Sequence, residues 1–134
     1  MLGHLLSNNM RINKDLGVAT LWLTEEELMR YNYEAGDTEG FVNIPLEIKG
    51  VVCSVFFKET EGKIRISFRS LGDVPLNEFA KKYYNGGGHL NASGGESFEP
   101  MQETLKNFET NILDLKDVLK KEIERNFDNI FQVQ

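Results

Sequence analysis

The sequence predicts an α/β (α+β) fold: a small mixed β-sheet of about five strands covered by helices, with a long C-terminal helix. Three observations carry this. Val51 to Glu59 (VVCSVFFKE) and Lys63 to Ser70 (KIRISFRS), separated by Thr60-Glu61-Gly62, read as a β-hairpin. The second of these strands alternates, with Ile64, Ile66 and Phe68 pointing one way and Lys63, Arg65, Ser67 and Arg69 the other. Near the end of the chain, Leu105, Phe108, Ile112, Leu115 and Leu119 recur at helical spacing as one apolar stripe.

The remaining elements follow in order. Leu2, Leu5 and Leu6 are apolar, but no helix start signal precedes them, so the N-terminal piece is expected to be the cut-open end of a longer chain. His4 within it is read as structural. Met10 to Asn13 is a candidate short strand, closed by the turn residues Asn13-Lys14-Asp15-Leu16-Gly17. Val18 to Leu23 (VATLWL) is rich in β-formers and reads as a buried strand. Thr24-Glu25-Glu26-Glu27 is a capping box that starts a helix running to about Asn32, with Leu28 and Tyr31 on one face. Gly36 to Gly40 is a polar loop. Phe41 to Leu46 fits either a short helix with Pro45 in its first turn or an extended lead-in, ended by Gly50. After the hairpin, Leu71 to Pro75 is a loop. A helix follows with Leu76, Phe79, Ala80 and Tyr83 on its buried face, stopped by Gly86. Gly86 to Gly95 reads as a glycine-dense loop, and Glu96-Ser97-Phe98 as a short edge strand. A long helix then begins at Glu99, with Pro100 in its first turn, and thins past Glu122 to Ile123, Phe127 and Ile130.

The chain has 134 residues, enough for one domain with a substantial core, and 40% of them are hydrophobic. A formal net charge of -6 argues against a generic basic coat for nucleic acid, while leaving room for a local basic patch. The single cysteine, Cys53, lies in an apolar run and reads as a small buried hydrophobe, consistent with a cytoplasmic location. No apolar run is long enough to cross a membrane.

Two features could carry chemistry. Gly86-Gly87-Gly88-His89 offers backbone N–H groups that a ligand can approach closely, with a histidine to add a hydrogen bond or a positive charge. Such a turn could clamp a phosphate. It could equally be a helix stop followed by a loose turn. Arg69, beside Ser70 on the polar face of its strand, could grip a phosphate with two prongs, or could simply be solvated. From Lys63 to Asn91 there are five basic residues (Lys63, Arg65, Arg69, Lys81, Lys82) and two acidic ones (Asp73, Glu78), net +3 in an acidic chain. That imbalance would steer an anion to this segment. No D-x-D, HExxH or clustered His/Asp pattern offers a metal site, so no metal ligands and no catalytic residues are assigned.

The run Ile64-Arg65-Ile66-Ser67-Phe68-Arg69-Ser70, then Gly72-Asp73, Asn77-Glu78-Phe79-Ala80 and Gly86-Gly87-Gly88-His89-Leu90-Asn91-Ala92-Ser93-Gly94, resembles the DHH-associated domain of Asp-His-His family phosphoesterases. The resemblance is to the oligoribonuclease and adenosine 3',5'-bisphosphate phosphatase type, also called exopolyphosphatase-related, and covers roughly residues 8–108. It implies a substrate-binding domain at 1–110 followed by a C-terminal helical extension at 111–134. It implies that His89 and the amides of Gly86, Gly87 and Gly88 touch substrate phosphate, that Arg69 with Ser70 reaches the same region, and that Asn91 and Ser93 shape the loop. The expected substrate is a short oligonucleotide or nucleotide phosphate. The expected partner is a catalytic Asp-His-His domain, which would carry the Mn2+; no cofactor is assigned to this chain, and alone it is expected to be inactive. Two further readings stay open: a stand-alone phosphate- or nucleic-acid-binding module, and an interaction domain whose Ile112–Phe127 helix docks to a partner or forms a homo-oligomer.

Overall fold

The computed structural model describes residues 1–34 and 36–133, with side chains through residue 127. Ile130 therefore lies outside the described side chains. Six strands form one mixed sheet: β1 (Met10–Asn13), β2 (Val18–Leu23), β3 (Cys53–Thr60), β4 (Lys63–Ser70), β5 (Gly87–His89) and β6 (Ala92–Ser97), in spatial order β1-β2-β3-β4-β6-β5. The pair β2–β3 is parallel and every other pair is antiparallel.

The parallel pair needs a crossover, and residues 24–50 supply it. Thr24 caps α2 (Glu25–Arg30) with both halves of a capping box, its hydroxyl accepting from the Glu27 amide while the Glu27 carboxylate accepts from the Thr24 amide. Leu28 of that helix is buried, but Tyr31 falls at the helix end and is exposed, so the two do not share a buried face. Phe41–Glu47 then forms a 3-10 helix, with Pro45 inside it rather than in its first turn.

The face of the sheet that carries Val18, Val55, Phe57, Ile64, Ile66 and Phe68 is covered by α3 (Leu76–Tyr83), α4 (Met101–Asn111) and α5 (Lys116–Val133). The ring of Phe57 meets Phe108 edge-on at 5.3 Å between centroids, and Phe68 meets Phe79 at 6.0 Å. The expected single C-terminal helix is broken by a 3-10 turn, Ile112–Leu115, which re-aims the chain so that Leu119 is fully buried. The packing is continuous across residue 110, since Ile112 and Leu119 belong to the same core as the sheet. Phe79 of α3 is buried as expected, but of the two tyrosines at its end the buried one is Tyr84, just past the helix, with Tyr83 partly exposed.

The opposite face is only half covered. Leu21, Leu23 and Phe56 pack under Leu5, Leu28 and Val42. Leu5 belongs to α1 (Leu2–Asn8), so the N-terminal leucines that lack a start signal do find a partner surface. Over β6 and β5 no helix among the described residues lies on this face, and the 3-10 helix Phe41–Glu47 approaches β4, leaving a hollow over its polar side.

Two local expectations are corrected. The glycine-dense stretch 86–95 is not a loop but a β-hairpin, β5 and β6, with its tip at Leu90-Asn91. Residues 92–97 form an inner strand, and β5 is the sheet edge. Helix α3 is stopped by Asn85, in the left-handed region at φ 50°, rather than by Gly86, whose amide instead donates to the Ala80 carbonyl at 3.1 Å.

Candidate functional site

Strand pairing decides which side chains share the open face. Directly opposed residues point the same way, so Arg69 shares a row with Ser54, Ala92 and His89. The next row holds Phe56, Ser67, Gly94 and Gly87, and the one after it Lys58, Arg65 and Glu96. Arg69 and His89 therefore stand two strands apart, about 10 Å, with only the methyl of Ala92 between them. Gly94 and Gly87 leave the middle row without side chains on β6 and β5, which makes a shallow trough flanked by cations.

Three of these cations lack a carboxylate partner among the described residues. Arg69 is half-buried, and its Nη1 donates to the Phe68 carbonyl at 2.8 Å and, at 3.4 Å, to that of Ser93. Lys58 donates to the Tyr33 hydroxyl at 3.0 Å and to Thr38 Oγ1 at 3.2 Å, and lies 5.0 Å from the centre of the Tyr33 ring. Arg65 is exposed. Only Lys63, on the same face, is neutralised, by Glu96 at 3.0 Å, which holds that carboxyl below its ordinary value. With Val42, Phe56 and the loop residues Thr38 and Glu39, these cations line a hollow of about 280 Å³. Guanidinium groups whose only bonds are to carbonyls keep donors to offer, so the arrangement suits an anion with several oxygens. A divalent cation would be repelled, and among the described residues no three His, Cys, Asp or Glu side chains converge on a metal position.

The other sequence-derived residues divide into two groups. Ser70 is buried on the opposite face from Arg69. Its hydroxyl donates to the Val74 carbonyl at 3.0 Å and accepts from Asn91 Nδ2 at 3.0 Å. Asn91 Nδ2 also donates to the Gly72 carbonyl at 3.0 Å, so Asn91 and Ser70 together lock the hairpin tip to the 71–75 loop. Ser93 is buried on the helix side, opposite Phe68, and its Oγ has no hydrogen-bond partner among the described residues. Of the glycines, Gly87 faces the trough with open space where a Cβ would stand, and Gly88 has φ 137°. Gly86 is pressed against β6: a Cβ there would come within 1.9 Å of the Gly94 carbonyl oxygen. Along an antiparallel strand successive amides alternate in direction. The amides of Gly87, Gly88 and His89 therefore do not converge on one point, and that of Gly86 is already taken. Lys81 and Lys82 are on α3, across the sheet, with Lys82 paired to Asp114 at 3.0 Å.

Sequence reasoning missed Lys58 and did not single out Arg65. The signal for Arg65 was present in the KIRISFRS alternation. Lys58 required the register that pairs it with Arg65.

Comparison with known proteins bears on this geometry. The Bacillus subtilis bifunctional oligoribonuclease and PAP phosphatase NrnA is 35% identical over 96 residues, 70% of this chain and 30% of that protein. The Thermus thermophilus protein of the same name is 38% identical over 58 residues, 43% of this chain and 18% of that one. The crystal structure of an exopolyphosphatase-related protein from Bacteroides fragilis superposes with a TM-score of 0.85 at 49% identity, covering 89% of this chain and 35% of the other. The chain thus spans about a third or less of the length of each of these three proteins. The model of the DHHA1 domain matches residues 15–124, most of the sheet and all its covering helices but the first and the end of the last, and the chain belongs to the DHHA1 domain family.

Proposed function

We propose that this chain is the substrate-holding domain of a phosphoesterase, gripping the phosphate of a short oligonucleotide or nucleotide bisphosphate while a separate Asp-His-His domain, with its manganese ions, performs the hydrolysis. The observation that carries the reading is the trough itself: Arg69, Arg65 and Lys58, without carboxylate partners among the described residues, face a side-chain-free strip that ends at His89. Such a surface offers charge-assisted donors to phosphate oxygens. Its glycines let a second surface, or the substrate backbone, come close. The names of the two NrnA relatives support the substrate class.

Arg69 and Arg65 supply the charge, His89 a hydrogen bond at the edge, and Asn91 and Ser70 the rigidity of the hairpin tip. Hydrolysis would then belong to the metal-bearing domain, and the role of this chain would be to hold the phosphate against it.

The test is an NMR titration of the isotope-labelled chain with adenosine 3',5'-bisphosphate. Shifts should centre on Arg65, Arg69 and residues 87–94. Arg69→Ala should weaken binding by roughly 1.5–3 kcal/mol, as expected for a hydrogen bond to a charged group, and His89→Ala should weaken it by less. No response at millimolar ligand in these residues would sink the reading.

A further inference from the structure

A second hollow adjoins the trough, of about 410 Å³, between α2 and the turn that joins β3 to β4. It shares Lys58 and Arg65 with the phosphate hollow, so the two are continuous across those side chains. Its chemistry is different. One wall is Leu28, Met29 and Tyr33, and Met29 is 73% exposed, an apolar group left uncovered. The rim carries Glu25 and Glu61. Glu25 and Glu61 offset Lys58 and Arg65, so beside this apolar and aromatic surface there is no net positive charge to draw in a further phosphate. The hollow suits a flat, uncharged group that packs on one side and donates hydrogen bonds at its edge: a nucleobase with an exocyclic amine, or a ribose hydroxyl.

The direction of β4 adds a length. Arg69 and Arg65 are four residues apart on one face, about 14 Å along the strand. A phosphate held at Arg69 and His89 would leave the rest of the substrate to run along β4 toward Arg65, at the mouth of the second hollow. Resting on the phosphate-holding role proposed above, we propose that the hollow bounded by Leu28, Met29 and Tyr33 is a base-binding subsite for the second nucleotide of the substrate, with Arg65 and Lys58 holding the phosphate between the two. The domain then selects nucleotidic ligands over a plain chain of phosphates, because its second position stacks a base and offers a further phosphate no matching gain.

The test uses the full chain with carbon-labelled methionine methyls and nitrogen-labelled amides. Three probes are titrated: 5'-phosphorylated diadenylate, the same molecule with an abasic second residue, and inorganic tripolyphosphate. The expected result is that diadenylate alone moves the Met29 methyl and the Tyr33 amide, and binds ~10-fold tighter than the abasic analogue, in line with one base stacked. Met29→Ser, at an exposed position that leaves the core untouched and adds no charge, should remove that advantage without changing the affinity for tripolyphosphate. Equal affinities for diadenylate and its abasic analogue, with Met29 unmoved while Arg69 and His89 respond, would overturn the subsite and leave the phosphate reading standing. If none of the three probes moves Arg69 or His89, both fall together.

Discussion

Glu27 concentrates more of the chain's polar bonding than any residue near the trough. Its carboxylate takes the His4 ring nitrogen, the Thr24 amide, the Asn9 side chain at 2.7 Å and the Thr24 hydroxyl at 3.0 Å, which ties α1 and the start of β1 to α2. Burial pushes this carboxyl up, but the hydrogen bonds outweigh it and hold the group below its ordinary value of 4.5. A depressed folded pKa means a contribution to stability that is complete above 4.5 and is lost as pH falls through the folded value. The stability advantage of the wild type over Glu27→Gln should therefore be constant at neutral pH and should shrink below about pH 4.5, as followed by urea unfolding across pH. His4 was legible as structural, but its partner was not, because 23 residues separate His4 from Glu27 and only the fold joins them. The same limit applies at Ser70. Next to Arg69 in sequence, it faces the other way because strand side chains alternate, and it serves the loop rather than the trough.

At the level of elements, the glycine-rich hairpin explains itself by close approach. The C-terminal end of α3 lies on β6: a Cβ on Gly95 would meet Tyr84 Cβ at 2.7 Å, and one on Gly86 would meet the backbone of Gly94. Glycine density in the sequence therefore reports packing at Gly86 and Gly95, and an open face at Gly87. Periodicity could not distinguish this from a ligand loop, since glycines have no side chains to alternate. The β3–β4 hairpin, by contrast, was legible because Ile64, Ile66 and Phe68 announce their face. A paired substitution separates the two glycine roles. Gly86→Ala should cost about 1–3 kcal/mol or more in chemical denaturation, since backbone must move to admit the methyl. Gly87→Ala should stay within about 0.5 kcal/mol of wild type, yet should weaken adenosine 3',5'-bisphosphate by putting a methyl into the trough. Equal stability losses would mean that β5 is packed on both sides.

For the whole molecule, the question is how far the C-terminal segment is free to dock elsewhere. An apolar stripe from Ile112 to Phe127 could in principle meet a partner. In the folded chain Ile112 and Leu119 are buried in the same core as Phe57 and Phe68, and Leu115 and Ile123 pack against it. Glu122 reaches across to accept from the Asp73 amide at 3.3 Å, in the loop whose Gly72 carbonyl accepts from Asn91. Glu122 of α5 thus braces the loop beneath the hairpin tip, and the stripe from Ile112 to Leu119 is spent on the chain's own core. The stripe was visible in the sequence, but its destination was not, because a 3.6-residue period gives a face without naming what covers it. Leu119→Ala should then lower the unfolding free energy by about 2–5 kcal/mol, the range for a fully buried leucine, with no change in solution mass. A variant that keeps its stability but loses mass in sedimentation would instead show that Leu119 meets a second chain, because a residue buried in its own core cannot be truncated without cost to the fold.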